Sequence, residues 1–139
     1  MVNLIVGTKG SGKTKKLIQL TNDAVASSRG NVVVIEKGAK LTYDVSHKAR
    51  LIDTDVYGIK GYSNLLGFIS GICAGNYDVT DIFVDSTLKI CTEGLEGLTD
   101  FVKSLDLLSK ESEANIYVLV SADQSSLPEG LDDICKEIM

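Results

Sequence analysis

The sequence predicts an α/β fold, a three-layer α/β/α sandwich around a mostly parallel central sheet. Short apolar, β-branched runs alternate along the chain with stretches of helical spacing, the pattern of strands joined by crossover helices. Several runs are almost wholly apolar, as strands buried on both faces require. At 139 residues the chain suits one compact domain, residues 1–139, and is too short for two ordinary ones.

Each element follows from its residues. Val2–Val6 (VNLIV) is a buried, central strand. Across residues 13–28, Leu17, Leu20, Ala24 and Val25 recur at helical spacing, and Arg29 with Gly30 supplies a stop signal. Asn31–Glu36 (NVVVIE) is a second strand by its β-branched content. Residues 37–49 have no clear period, and Arg50–Asp53 (RLID) reads as a short third strand. Ile59, Tyr62, Leu65, Leu66, Ile69, Ile72 and Cys73 then form the apolar stripe of a second helix. Gly61, Gly67 and Gly71 lower its propensity, and close approach to the sheet is one reason for glycines there. Residues 81–85 (DIFVD) form a further buried strand. Leu98, Phe101, Val102, Leu105 and Leu108 define a helix ending near Ser112, and Asn115–Val120 (NIYVLV) is the last strand. After Pro128, the apolar Leu131, Ile134, Cys135, Ile138 and Met139 predict a terminal helix that caps the core or, as the lesser alternative, meets a partner.

Composition narrows the function. Hydrophobic residues at 44% and charged residues at 24% suggest neither disorder nor a disulfide scaffold. Fourteen Lys+Arg against 19 Asp+Glu, a net charge of -5, disfavour a broad contact with nucleic acid or an anionic membrane. Lys9, Lys13, Lys15 and Lys16 still make one basic cluster, either facing phosphates or, for Lys15 and Lys16, forming a solvated helix face. No apolar run approaches the roughly 20 residues that span a bilayer, so the expectation is no membrane insertion and a cytoplasmic location. Cys73, Cys91 and Cys135 are widely spaced with no CxxC pair, which points to buried thiols rather than disulfides or zinc.

The strongest chemical signal is Gly7-Thr8-Lys9-Gly10-Ser11-Gly12-Lys13-Thr14, a match to G-x-x-x-x-G-K-[ST] between a strand and a helix. From residue frequencies alone, a chance match in a chain this long is on the order of one in a few hundred. Such a loop must turn successive backbone N–H groups inward around phosphates, and Gly7, Gly10 and Gly12 permit those conformations. Lys13 would place an ammonium between the β- and γ-phosphates, at the positive end of the following helix. Thr14 would offer its hydroxyl to Mg²⁺, and Asp85, closing an apolar strand, would supply the second contact to the metal.

These features resemble the P-loop NTPases. The resemblance covers most of the chain and implies a RecA-like strand order, with Asn115–Val120 lying between the strand before the loop and the strand before Asp85. It also implies a polar sensor of the γ-phosphate at Ser121, Asp123 or Gln124. The arrangement is similar, too, to the nucleotide-binding core of thymidine kinase-like proteins, with two departures. Ser86 stands where those kinases carry an acid after the strand-end aspartate, and their cysteine zinc lobe is missing. A further likeness is to small bacterial P-loop proteins of unassigned function, some labelled twitching-motility ATPases, although motor ATPases of that kind are much longer.

The leading expectation is an ATP- and Mg²⁺-binding protein with weak or partner-activated ATPase activity, in which Lys13 and Asp85 carry the chemistry. Hydrolysis needs a group to orient water, and no carboxylate directly follows Asp85. Glu36, Asp53, Asp55, Asp123 and Gln124 near strand ends are the candidates, while Arg29 and Arg50 are the only arginines that could stabilise charge. Lacking an arginine finger in cis, a hydrolase of this kind would gain from forming a homo-oligomer. Two alternatives stay open. A small-molecule kinase would build its acceptor pocket around residues 37–60 with Asp85 or Asp53 as base, and a non-hydrolysing interaction module would order residues 37–49 or 121–130 on binding nucleotide. His47 stands alone in a polar loop and suggests no ligand. No N-K-x-D occurs, so ATP is a starting assumption among the nucleotides.

Overall fold

A computed structural model describes all residues, Met1–Met139. Its elements in chain order are β1 (Val2–Val6), α1 (Lys13–Ser27), β2 (Asn31–Glu36), β3 (Arg50–Asp53), α2 (Gly61–Gly75), β4 (Val79–Val84), α3 (Thr87–Ile90), α4 (Leu98–Ser112), β5 (Asn115–Val120), α5 (Leu131–Ile134) and β6 (Glu137–Ile138). One six-stranded sheet runs in the order β3-β2-β4-β5-β1-β6, and every neighbouring pair is parallel. As expected, β5 lies between β1 and β4.

Alternation along the strands divides the core into two. On one face Val2, Leu4, Val33, Ile35, Ile82, Val84, Ile116 and Val118 pack with α2 and α4 in a cluster of 23 buried residues. On the other, Ile5, Val32, Val34, Phe83 and Leu119 pack against Leu17 of α1 and against Leu41, Val45 and Ala49 of the loop after β2. That aperiodic loop therefore completes the thinner of the two outer layers. At roughly 25 cal/mol per Å² of apolar area, burial of these two faces is the main force holding the layers together. No helix is long and apolar enough to cross a membrane.

Three details depart from expectation. The residues after Pro128 make only the single turn of α5, and the chain then pairs with β1 as β6: Lys136 N–H donates to the Val2 carbonyl at 2.8 Å and Met139 N–H to the Leu4 carbonyl at 2.8 Å. A one-turn helix cannot nucleate well, whereas the open edge of β1 offers several unpaired backbone groups at once. Gly30 is not a helix cap: α1 closes earlier, with Ser28 N–H on the Ala24 carbonyl, and Gly30 instead lets β2 start against the Asp78 carbonyl. In α2, Gly67 and Gly71 face open solvent instead of the sheet.

Gly67 and Gly71 thus lower helix propensity without a steric reason. Gly67→Ala and Gly71→Ala will each stabilise the fold by about 0.5–1 kcal/mol, raising the melting temperature by about 2–4 °C. Thermal melts of the single and double variants check this, and a fall in either would show that the exposed face of α2 has a use for its glycines.

Candidate functional site

In a parallel sheet all the strands end on the same side, and the candidate site lies at that carboxyl edge. The loop after β1 turns back through Gly10 and Gly12, both at φ +87, a left-handed conformation that costs a residue bearing a Cβ roughly 1–2 kcal/mol. Gly7 differs: its φ is not left-handed, and a Cβ there would collide only with the movable Ser11 hydroxyl. Its contribution is therefore milder than that of the other two.

Gly12 opens α1 with no side-chain cap, and the first turn of that helix carries no acid. The first N–H groups of an α-helix have no partner within it, and here the chain offers them none, which makes the helix start an anion seat. Lys13 lies half-buried beside it, and its ammonium donates only to the Thr8 carbonyl, at 3.3 Å.

A cavity of about 390 Å³ opens in front of this loop. Lys9, Gly10, Lys13 and Thr14 line one side, and Asp85, Ser86 and Ser121 come from the ends of β4 and β5. Asp85 is the first residue past β4. It is buried, its N–H extends the sheet to the Ile35 carbonyl at 2.8 Å, and its carboxylate accepts from the Ser86 hydroxyl at 3.1 Å. Ser86 takes the left-handed conformation at φ 60, an uncommon backbone state for a residue other than glycine, and turns the chain directly into α3. A cavity of about 450 Å³ near the starts of β4 and the end of α2, lined by Cys73, Tyr77, Val79 and Leu108, has no basic side chain.

Of the predicted residues, the cavity unites Lys9, Gly10, Lys13, Thr14 and Asp85, and Ser121 joins them; Gly7, Thr8, Ser11 and Gly12 build the loop behind it. Asp123 and Gln124 are exposed and do not line the cavity. Arg29 and Arg50 are at the wrong end of the sheet. Each stands at the start of its strand, β2 or β3, a strand's length from the carboxyl edge. Asp53 accepts from the Gly38 N–H at 2.8 Å and the Asp55 N–H at 2.9 Å, and Asp55 pairs with Lys37 at 2.6 Å, so both tie down the loop. His47 is exposed. Burial pushes the Cys91 thiol up to about 12 and the Cys135 thiol up to about 11, so both stay protonated and unreactive at neutral pH.

Glu36 has a more definite place. It is fully buried at the end of β2, beside Asp85, and its two oxygens accept from the Lys40 and Leu41 N–H groups, each at 3.1 Å. Burial pushes its carboxyl above the usual range, the two amide hydrogen bonds pull it back, and the charges of Asp85 and Asp53 push it up again. Its visible role is to pin the start of the loop after β2.

Two lysines escaped the sequence reading. Lys40, on the loop pinned by Glu36, and Lys89, on α3, both line the cavity. Each lies four residues beyond the acid at its strand end, Glu36 or Asp85, a spacing that could have drawn attention to them. Contact with Lys40 and its charge hold the Lys89 ammonium below its ordinary range, with Asp85 partly opposing. Among the 14 Lys+Arg of a chain with net charge -5, four therefore converge on one cavity.

No family model matches the chain, and no curated protein matches it in sequence.

Proposed function

We propose that the chain binds a nucleoside triphosphate together with Mg²⁺ through residues 7–14 acting as a P-loop, with ATP the first candidate, and that it hydrolyses the nucleotide slowly or only when a partner activates it. The proposal is carried by one convergence: Lys13 and Thr14, at the uncapped start of α1, share a cavity with the buried Asp85 from two strands away. A glycine turn with a solvated lysine would give no reason for a buried carboxylate to face it.

In this proposal the loop N–H groups and Lys13 hold the β- and γ-phosphates, as preorganised donors at a helix start do. The Thr14 hydroxyl and Asp85 carboxylate are hard oxygen donors facing one space, the chemistry that suits Mg²⁺. When bound, the metal would supply charge neutralisation across the β- and γ-phosphates. Ser121 extends from the strand between them and is the residue best placed to sense the terminal phosphate.

Slow turnover is supported by what surrounds Asp85. Ser86 follows it, and the nearby Glu36 already spends both oxygens on loop amides. No carboxylate is thus left free beside Asp85 to orient water, which also favours a second possibility, nucleotide binding without hydrolysis as a switch. Phosphate-release assays separate the two.

Asp85→Asn tests the metal half of the proposal, because it keeps the shape and can still accept from Ser86. Its ATP affinity in Mg²⁺ will fall about tenfold, to the value that wild-type protein shows in EDTA. Retention of the full Mg²⁺ effect would remove Asp85 from the metal site.

A further inference from the structure

We propose that Lys40 and Lys89 form a two-lysine subsite for the terminal phosphate, so that the chain supplies from its own residues the positive charge that an arginine finger provides elsewhere. This rests on the proposed nucleotide binding and extends it to how the site distinguishes a triphosphate from a diphosphate.

Lys89 stands on α3, directly after the strand β4 that Asp85 closes, and Lys40 on the loop after β2, the next strand away from the glycine loop, and both line the cavity. Parallel strands lie about 4.8 Å apart, so a phosphate chain that starts at the loop and meets a metal at Asp85 ends within reach of both lysines. Their backbones are fixed. The Lys40 N–H is held by the Glu36 carboxylate at 3.1 Å, and the Lys89 N–H donates to the Ser86 carbonyl at 2.9 Å.

What the lysines lack is an anion. Neither forms a salt bridge, and both line one cavity, where the charge of Lys40, and more weakly that of Lys9, acts on the Lys89 ammonium. An ammonium group has three donors and no acceptor, so two of them cannot satisfy each other when both are charged. Only Asp85 opposes this repulsion, and a metal ion there would withdraw that relief. A phosphoryl group bearing about two negative charges would satisfy both lysines at once. No arginine of this chain reaches the carboxyl edge, since Arg29 and Arg50 both stand at the strand starts.

The test is the ratio of ATP to ADP affinity, measured by calorimetry in Mg²⁺ for wild type, Lys40→Ala, Lys89→Ala and the double variant. Both lysines are exposed, so the variants should melt like wild type. Each single substitution will weaken ATP binding about tenfold and change ADP binding by no more than about twofold, and the double variant will lose most of the preference for ATP. Lys89→Arg, which keeps the charge, will retain it. Equal losses for ATP and ADP, or none, overturn the subsite while leaving the P-loop proposal standing. Wild-type protein that binds neither nucleotide overturns both.

Discussion

Lys13→Ala will lower ATP affinity roughly a hundredfold while leaving thermal stability close to that of wild type. The asymmetry follows from what Lys13 touches. Its ammonium makes one hydrogen bond, to the Thr8 carbonyl at 3.3 Å, at a site open to solvent, and an exposed hydrogen bond of that kind contributes little to folding. Against phosphates the same group would make charge-assisted bonds worth about 1.5–3 kcal/mol, beside N–H groups that α1 leaves without partners. Paired nucleotide titrations and melts give both quantities. Unchanged affinity would sink the P-loop proposal, whereas a large loss of stability would mean that Lys13 is chiefly a brace for its loop.

Gly30→Ala will cost about 3 kcal/mol of stability, at the upper end of what an inserted methyl group costs in a packed site. The added Cβ would overlap the Asp78 carbonyl, which is itself the acceptor of the Asn31 N–H at 2.7 Å, and would press on the Thr80 methyl at 3.0 Å. A flexible side chain could move aside, but here the obstacle is the backbone that starts the pairing of β2 with β4. The start of the β2–β4 ladder must open, and the strand ends that carry Glu36 and Asp85 would shift with it. Urea denaturation measures the loss. A variant as stable as wild type would show that the two strands do not need this close approach. The contrast with Gly67→Ala is instructive, since the same added methyl group stabilises where the glycine faces water.

Local signals carried much of this protein into view. The glycine loop, Lys13 and Thr14 are contiguous, so their spacing alone placed them at a strand-to-helix turn. Asp85 could be read because the apolar run before it ends abruptly, and β1, β2, β3 and β5 lie where their residues put them. What stayed hidden depends on pairing between distant segments. β6 exists because β1 had an open edge, which no property of residues 137–138 announces. Lys40 and Lys89 are 49 positions apart and meet only because β2 and β4 are neighbours in the sheet. Glu36 could not be assigned while the loop whose amides it accepts had no periodicity. Arg29 and Arg50 are a different case: Arg29 lies just before β2 and Arg50 opens β3, so strand direction alone could have excluded them from a site at the carboxyl edge.

The most direct test of the central claim is calorimetric titration of the wild-type chain with ATP in the presence of Mg²⁺ and again in EDTA. Saturable binding that weakens about tenfold when the metal is removed is the expected result. Heats indistinguishable from dilution at millimolar ATP, with or without Mg²⁺, would contradict it and leave the glycine loop as a turn without a ligand.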